Sequence, residues 1–157
     1  MKHHSLMIML LVAVLGACTF PEDQVESRAG ETSSAQPAAL NEQQFQYQKC
    51  DRGRGPDCVI DGDTFYIRYD KIRIADINTP ETYRPECEYE AQLGAKATNR
   101  MIALLNDGPF VLVAIDRDRD RYGRLLRKVE RNGQSLGDVL VREGLARPWT
   151  GRRRSWC

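Results

Sequence analysis

The 157-residue sequence has no Cys-x-x-Cys pair and no internal repeat, and neither sign of charge dominates it. Without Cys-x-x-Cys, zinc ribbons and thioredoxin-like redox sites drop out. The longest apolar run, Leu6–Leu15, has ten residues, against the roughly 20 that a membrane-spanning helix takes. What is present suits a packed, soluble domain: 29% charged residues and 41% from the set AVILMFWYC. Collagen, coiled coil and multi-span membrane protein are excluded on composition. Lys plus Arg number 23 against 22 Asp plus Glu, but unevenly. Residues 1–17 carry only Lys2, and residues 18–49 carry two basic against five acidic groups. Residues 50–157 are left with 20 basic and 17 acidic groups, including the run Arg152-Arg153-Arg154. That excess is too small to establish a polyanionic partner by itself.

Lys2 followed by Leu6–Leu15 reads as the positive and apolar parts of an export signal spanning residues 1–17. Leu15-Gly16-Ala17-Cys18 resembles a bacterial lipobox, which makes Cys18 the lipid-modified first residue of a protein anchored in the cell envelope. Ordinary cleavage would instead leave a periplasmic or secreted protein. His3 and His4 fall in the discarded segment and are not metal ligands. Residues 18–45 are rich in Glu, Gln, Ser, Ala and Pro and read as a disordered tether, too poor in apolar residues to offset the entropy of ordering. The folded domain is expected over residues 46–157.

Five cysteines are present: Cys18, Cys50, Cys58, Cys87 and Cys157. With Cys18 lipidated, an even four remain, as suits disulfides in an oxidising compartment. Four cysteines allow three pairings. The favoured one joins Cys50 to Cys58 in a short loop and Cys87 to Cys157 at the chain end.

The folded part alternates β-rich runs with two helices. Val59-Ile60 leads into the turn Asp61-Gly62-Asp63. Thr64–Arg68 and Lys71–Ala75 form a hairpin about Tyr69-Asp70. Glu88–Leu105 carries Ala91, Ala95, Thr98, Ile102 and Leu105 near helical spacing, with Asp107-Gly108 as its stop. Phe110–Ile115 and Leu125–Glu130 are two further strands. Ser135 with Asp138 reads as a capping box for a helix through Glu143, closed by Gly144. The absence of a βαβ repeat points to a small α+β barrel. Asp116, Asp118 and Asp120 open like an EF-hand loop, but Arg121 and Arg127 stand where that loop needs Gly and Glu. The stretch reads as a solvated strand end.

Three motifs carry a more specific signal: Val59-Ile60-Asp61-Gly62-Asp63-Thr64, then Arg73-Ile74-Ala75-Asp76-Ile77-Asn78-Thr79-Pro80-Glu81-Thr82, then Asp120-Arg121-Tyr122-Gly123-Arg124. Each is weak alone. In this order, with a hairpin between the first two and a helix before the third, the chain resembles the staphylococcal nuclease (thermonuclease) family over about residues 56–149. The resemblance implies an OB-type five-stranded β-barrel with two or three helices, and Ca²⁺-dependent cleavage of DNA and RNA to 3′-phosphate products. It further implies a monomer acting by preference on single strands. Asp63 and the Thr79 carbonyl would be metal ligands, with Asp61 acting through water. Glu81 would be the general base, Arg73 and Arg124 the phosphate clamps, and Tyr122 a substrate contact. The residue types suit the chemistry, because an anionic phosphodiester must be neutralised before water can attack it. Hard oxygen ligands hold Ca²⁺, and guanidinium forks match phosphate oxygens.

The chain departs from the family pattern at Asn78, where a second metal carboxylate is expected. An amide oxygen can still ligate Ca²⁺ but brings no charge, so affinity should be weakened. Asp76 would compensate only if it shared a face with Asn78 along a regular strand. Each motif residue also has a plainer reading. Asp61 and Asp63 could shape a turn, Arg73 could face solvent, Glu81 could cap a turn, and Arg124 could pair with a nearby Asp. The competing functions are a nuclease-like module that binds nucleic acid or protein without cutting it, and a structural envelope lipoprotein.

Overall fold

A computed structural model describes residues 46–157. The expected signal segment, the tether and Cys18 lie outside the described residues. Among these residues no helix is long and apolar enough to cross a membrane.

The described residues open with β1 (Gln48–Lys49) and a single 3₁₀ turn, then β2 (Cys58–Asp61), β3 (Thr64–Ile67), β4 (Asp70–Ile74) and β5 (Ile77–Asn78). After α1 (Glu88–Asn106) come β6 (Val111–Arg119), β7 (Leu125–Arg131), β8 (Gln134–Ser135), α2 (Leu136–Arg142) and β9 (Arg147–Pro148). The main sheet runs in the order β1-β2-β3-β4-β7-β6, with β8 on β7, while β5 and β9 pair separately. This mixed α+β arrangement corrects the expected closed five-stranded barrel, because the ladder does not return on itself. Its two ends meet through side chains instead. Tyr47, just before β1, packs 6.1 Å from Phe110, just before β6, and both rings pack on Phe65. Asn106 at the end of α1 ties the same corner, accepting the Tyr47 N–H at 2.7 Å and donating to its carbonyl at 2.8 Å.

Local chemistry explains most of the elements. The β3–β4 hairpin turns on Arg68 and Tyr69, both left-handed (φ 50° and 71°), one residue earlier than the sequence suggested. Two consecutive left-handed residues match the twist of a two-residue hairpin. Ser135 caps α2 by accepting the Asp138 N–H at 3.3 Å. Asp116 and Asp118 lie on the exposed outer half of β6, which extends four residues beyond the expected Ile115. Both expected disulfides are present, Cys50–Cys58 and Cys87–Cys157.

The core gathers Val59, Phe65, Ile72, Ile74, Ile77, Met101, Val129 and Leu140, all essentially inaccessible to water. Burial of each such large side chain contributes about 1.5–3 kcal/mol. The buried face of α1 is Glu90, Gly94, Ala97, Thr98, Met101, Leu104 and Leu105. That corrects the stripe read through Ala95, which is exposed. The helix is rolled so that its smallest residues meet backbone. A Cβ on Gly62 would lie 2.8 Å from both Ala97 and Thr79, so the Asp61-Gly62-Asp63 turn can approach α1 only with glycine at its centre.

Candidate active site

The three motifs meet at one end of the sheet. Asp61 and Asp63 flank the β2–β3 turn, and the Asp61 carboxylate accepts the Asp63 N–H at 3.1 Å. The turn-shaping reading of Asp61 is therefore correct as far as it goes. Asp63 is only 5% exposed and does more. One oxygen accepts the Thr64 hydroxyl at 3.0 Å, while the other accepts the Thr79 N–H at 2.9 Å and faces the Arg73 guanidinium at 3.1 Å. The first motif is thus joined to the second at both Arg73 and Thr79.

Arg73 is buried, not on a solvent face, because β4 is an interior strand between β3 and β7. Its guanidinium donates to the carbonyls of Ile74 and, at 2.9 Å, Ile77. A buried cation needs such partners, and the Asp63 carboxylate supplies the counter-charge. On its far side lies the Trp149 ring, 5.8 Å away.

Asn78 and Thr79 are buried beside Asp63. The Asn78 amide nitrogen donates weakly to the Thr79 carbonyl at 3.4 Å, and its Oδ1 has no protein partner among the described residues. A buried acceptor without a donor is costly. Asp76 does not compensate for Asn78. Its carboxylate turns toward α2 and accepts the Ser135 hydroxyl at 2.9 Å. The regular strand starts only at Ile77, so the alternation that would align Asp76 with Asn78 is broken.

Glu81 follows on the loop and pairs with Arg153. Burial raises its pKa from the ordinary value, opposed by Arg153 and reinforced by Asp63 and Glu90. Asp61 is pushed well above the usual carboxylate range, first by burial, then by the charges of Asp63 and Glu81. Three carboxylates, Asp61, Asp63 and Glu81, thus lie close together, and Arg73 and Arg153 already pair with two of them. The available donors are carboxylate, carbonyl and amide oxygens, the set that suits a hard divalent ion. Asp63, the Thr79 carbonyl and the partnerless Asn78 Oδ1 fit that requirement. A separate convergence of Glu86, Glu90 and Cys157 does not, because Cys157 is in a disulfide and has no thiolate to offer.

The third motif sits on the β6–β7 connection. Asp120 accepts the N–H groups of Tyr122 and Arg124 at 2.9 and 3.0 Å, and the Arg124 Nε at 2.7 Å. The pKa of Asp120 is lowered, because these hydrogen bonds outweigh the effect of burial. The pairing expected of Arg124 with a nearby Asp is thus real, and it holds the guanidinium beside the exposed Tyr122 ring, 5.6 Å away. Arg73, Arg124 and Tyr122 line one open cleft of about 840 Å³, together with Arg117, Arg121, Arg152 and Arg153. A smaller cleft of about 370 Å³ holds Asn78, Thr79 and Glu81, and Arg153 lines this one too. Sequence reasoning missed Arg153 and Trp149, whose only signal was the basic run near the chain end, and also the buried Glu90.

The sequence that builds this site has relatives among known proteins. The family model described as staphylococcal nuclease homologue matches residues 71–155. Two relatives from Bacillus subtilis, the SPbeta prophage-derived endonuclease YokF and the endonuclease YncB, are each 40% identical over 96 residues. That span is 58% of this chain but 32% of YokF and 45% of YncB, so the chain covers less than half of either relative. A thermonuclease from Staphylococcus hyicus is 28% identical over 141 residues, covering 87% of this chain and 78% of the relative.

Proposed function

The chain belongs to the staphylococcal nuclease homologue family, and on that premise we propose that it is a Ca²⁺-dependent nuclease that hydrolyses DNA and RNA without regard to the sugar. The observation that carries this reading is the Asp63 carboxylate, which accepts the Thr79 N–H and faces Arg73 on the same oxygen. One carboxylate thereby brings an oxygen-rich ligand set and a phosphate-binding guanidinium within reach of a single phosphate.

Asp63, the Thr79 carbonyl and Asn78 would hold the cation, with Asp61 acting through water. When bound, such an ion neutralises phosphate charge and favours ionisation of nearby water. Glu81, its pKa raised by burial, is suited to take a proton from the attacking water, since a base works best when its pKa lies near the operating pH. Arg73 and Arg124 donate to phosphate oxygens that gain charge as the transition state forms. Breaking the bond to the 5′-oxygen leaves a 3′-phosphate and a free 5′-hydroxyl. The exposed Tyr122 ring offers a base a stacking surface, which favours single strands.

Incubating the purified protein with plasmid and single-stranded DNA, with Ca²⁺ or with chelator, tests this reading. Cleavage only with Ca²⁺ is the expected result. Binding without cleavage under both conditions would establish the non-catalytic module instead. The motif ending at Cys18 further supports export and lipid anchoring, and an unmodified mature N-terminus elsewhere, found by mass spectrometry, would exclude it.

A further inference from the structure

The run Arg152-Arg153-Arg154 has no part in the mechanism above, yet it lies on a strap, residues 149–157, that is fastened at both ends. At its start β9 pairs with β5, and the Trp149 N–H donates to the Asp76 carbonyl at 2.8 Å. At its end Cys157 is bonded to Cys87, the residue that precedes α1. Between these points Trp156 is buried beneath the Arg147 guanidinium at 3.8 Å, and the Ser155 hydroxyl donates to Glu86 at 2.9 Å. A strap held this way cannot swing clear of the site as a free tail would.

The strap sets Arg153 between the two clefts, and of the three arginines it is the one that lines both. Its partner is the Glu81 carboxylate, and its side chain remains 57% exposed. Ion pairs with that much exposure contribute only about 0–1 kcal/mol. A phosphate entering the cleft is a strong competitor for such a cation, since its oxygens accept two parallel hydrogen bonds from a guanidinium.

We propose that Arg153 is a phosphate subsite of the substrate groove. In the empty cleft it neutralises Glu81; with a nucleic-acid strand bound it moves to a non-scissile phosphate and leaves Glu81 free to face water. Arg73 and Arg124 already serve the scissile phosphate, so the contact made by Arg153 belongs to a neighbouring one. This inference rests on the nuclease reading of the same site.

The test measures binding of the full chain to a single-stranded DNA oligonucleotide in chelator, where no cleavage intervenes, across a series of salt concentrations. Each phosphate contact to a single strand contributes about 0.7 to the slope of log affinity against log salt. Arg153→Gln should therefore flatten the slope by about that amount, and Arg153→Lys should restore it. With Ca²⁺ added, Arg153→Gln should raise KM without lowering kcat. An unchanged salt slope would overturn the subsite. So would a fall in kcat at constant KM, which would leave Arg153 only orienting Glu81. The double variant Cys87→Ser/Cys157→Ser releases the strap by an independent route and should flatten the slope in the same way; an unchanged slope there would also count against the proposal. A wild-type protein that cuts no DNA with Ca²⁺ would overturn the nuclease reading, while the slopes would still decide whether Arg153 contacts phosphate.

Discussion

The carboxylate of Glu90, in the first turn of α1, accepts the main-chain N–H of Glu81 at 3.2 Å, so the helix holds the backbone of the candidate base directly. Its second oxygen accepts the Glu86 N–H at 2.6 Å, closing the loop between them. One turn further along the helix, Gly94 leaves room for the same loop: a Cβ there would lie 2.9 Å from the carbonyl oxygens of both Pro80 and Glu81.

Gly94→Ala therefore sets two effects against each other. Alanine gains about 1 kcal/mol in helix propensity over glycine, while crowding against fixed backbone costs about 1–3 kcal/mol. The carbonyls are not free side-chain ends, so crowding should win. Expected is a modest loss of stability in denaturant unfolding with a larger fall in turnover, as Glu81 is displaced. A stabilised variant with wild-type turnover would show that this approach does not position the base.

Glu81→Gln keeps the side chain's size but removes the proton acceptor. General-base assistance is worth about 10²–10⁴ in rate, and turnover with Ca²⁺ should fall by that much while the thermal midpoint stays near wild type. Cleavage at the wild-type rate would sink the mechanism even with the fold intact.

Replacing the two clamping arginines by lysine should separate their roles. Arg73 is buried, bonded to two carbonyls and paired with Asp63. Breaking such a buried pair costs about 3–5 kcal/mol, and lysine, which cannot reproduce the fork, should lose stability as well as rate. Arg124, on the loop beside Asp120, should lose rate with little change in unfolding. Equal stability losses in Arg73→Lys and Arg124→Lys would contradict this division.

Asn78→Asp places a carboxylate where Oδ1 now lacks a protein partner. Without metal, the new charge beside Asp63 should lower stability; with Ca²⁺ it should be neutralised. The expected outcome is a larger Ca²⁺-induced rise in thermal midpoint than in wild type, and half-maximal activity at lower Ca²⁺. A Ca²⁺ requirement that stays the same or rises would remove position 78 from the metal site.

Much of the architecture was legible from local chemistry. The two-residue hairpin, the Ser135 cap, the Asp107-Gly108 stop and the charged outer half of β6 depend on neighbours within a few residues, and all formed close to where the pattern placed them. The roll of α1 was less legible. Its buried stripe includes a glycine and a glutamate, chosen by what lies opposite and not by hydrophobicity.

By itself, the sequence determined the order of the motifs, the residue types that phosphate chemistry requires and the alternation of strands with two helices, because these are encoded in short-range spacing. Only the tertiary structure decided which polar groups face one another. Asp63 with Arg73, Glu81 with Arg153 and Asp76 with Ser135 are separated by 10, 72 and 59 residues. No local pattern can specify such pairs. They form because β4 is buried between two strands, because β9 returns the chain to β5, and because the Cys87–Cys157 bond pins the last residues beside the site.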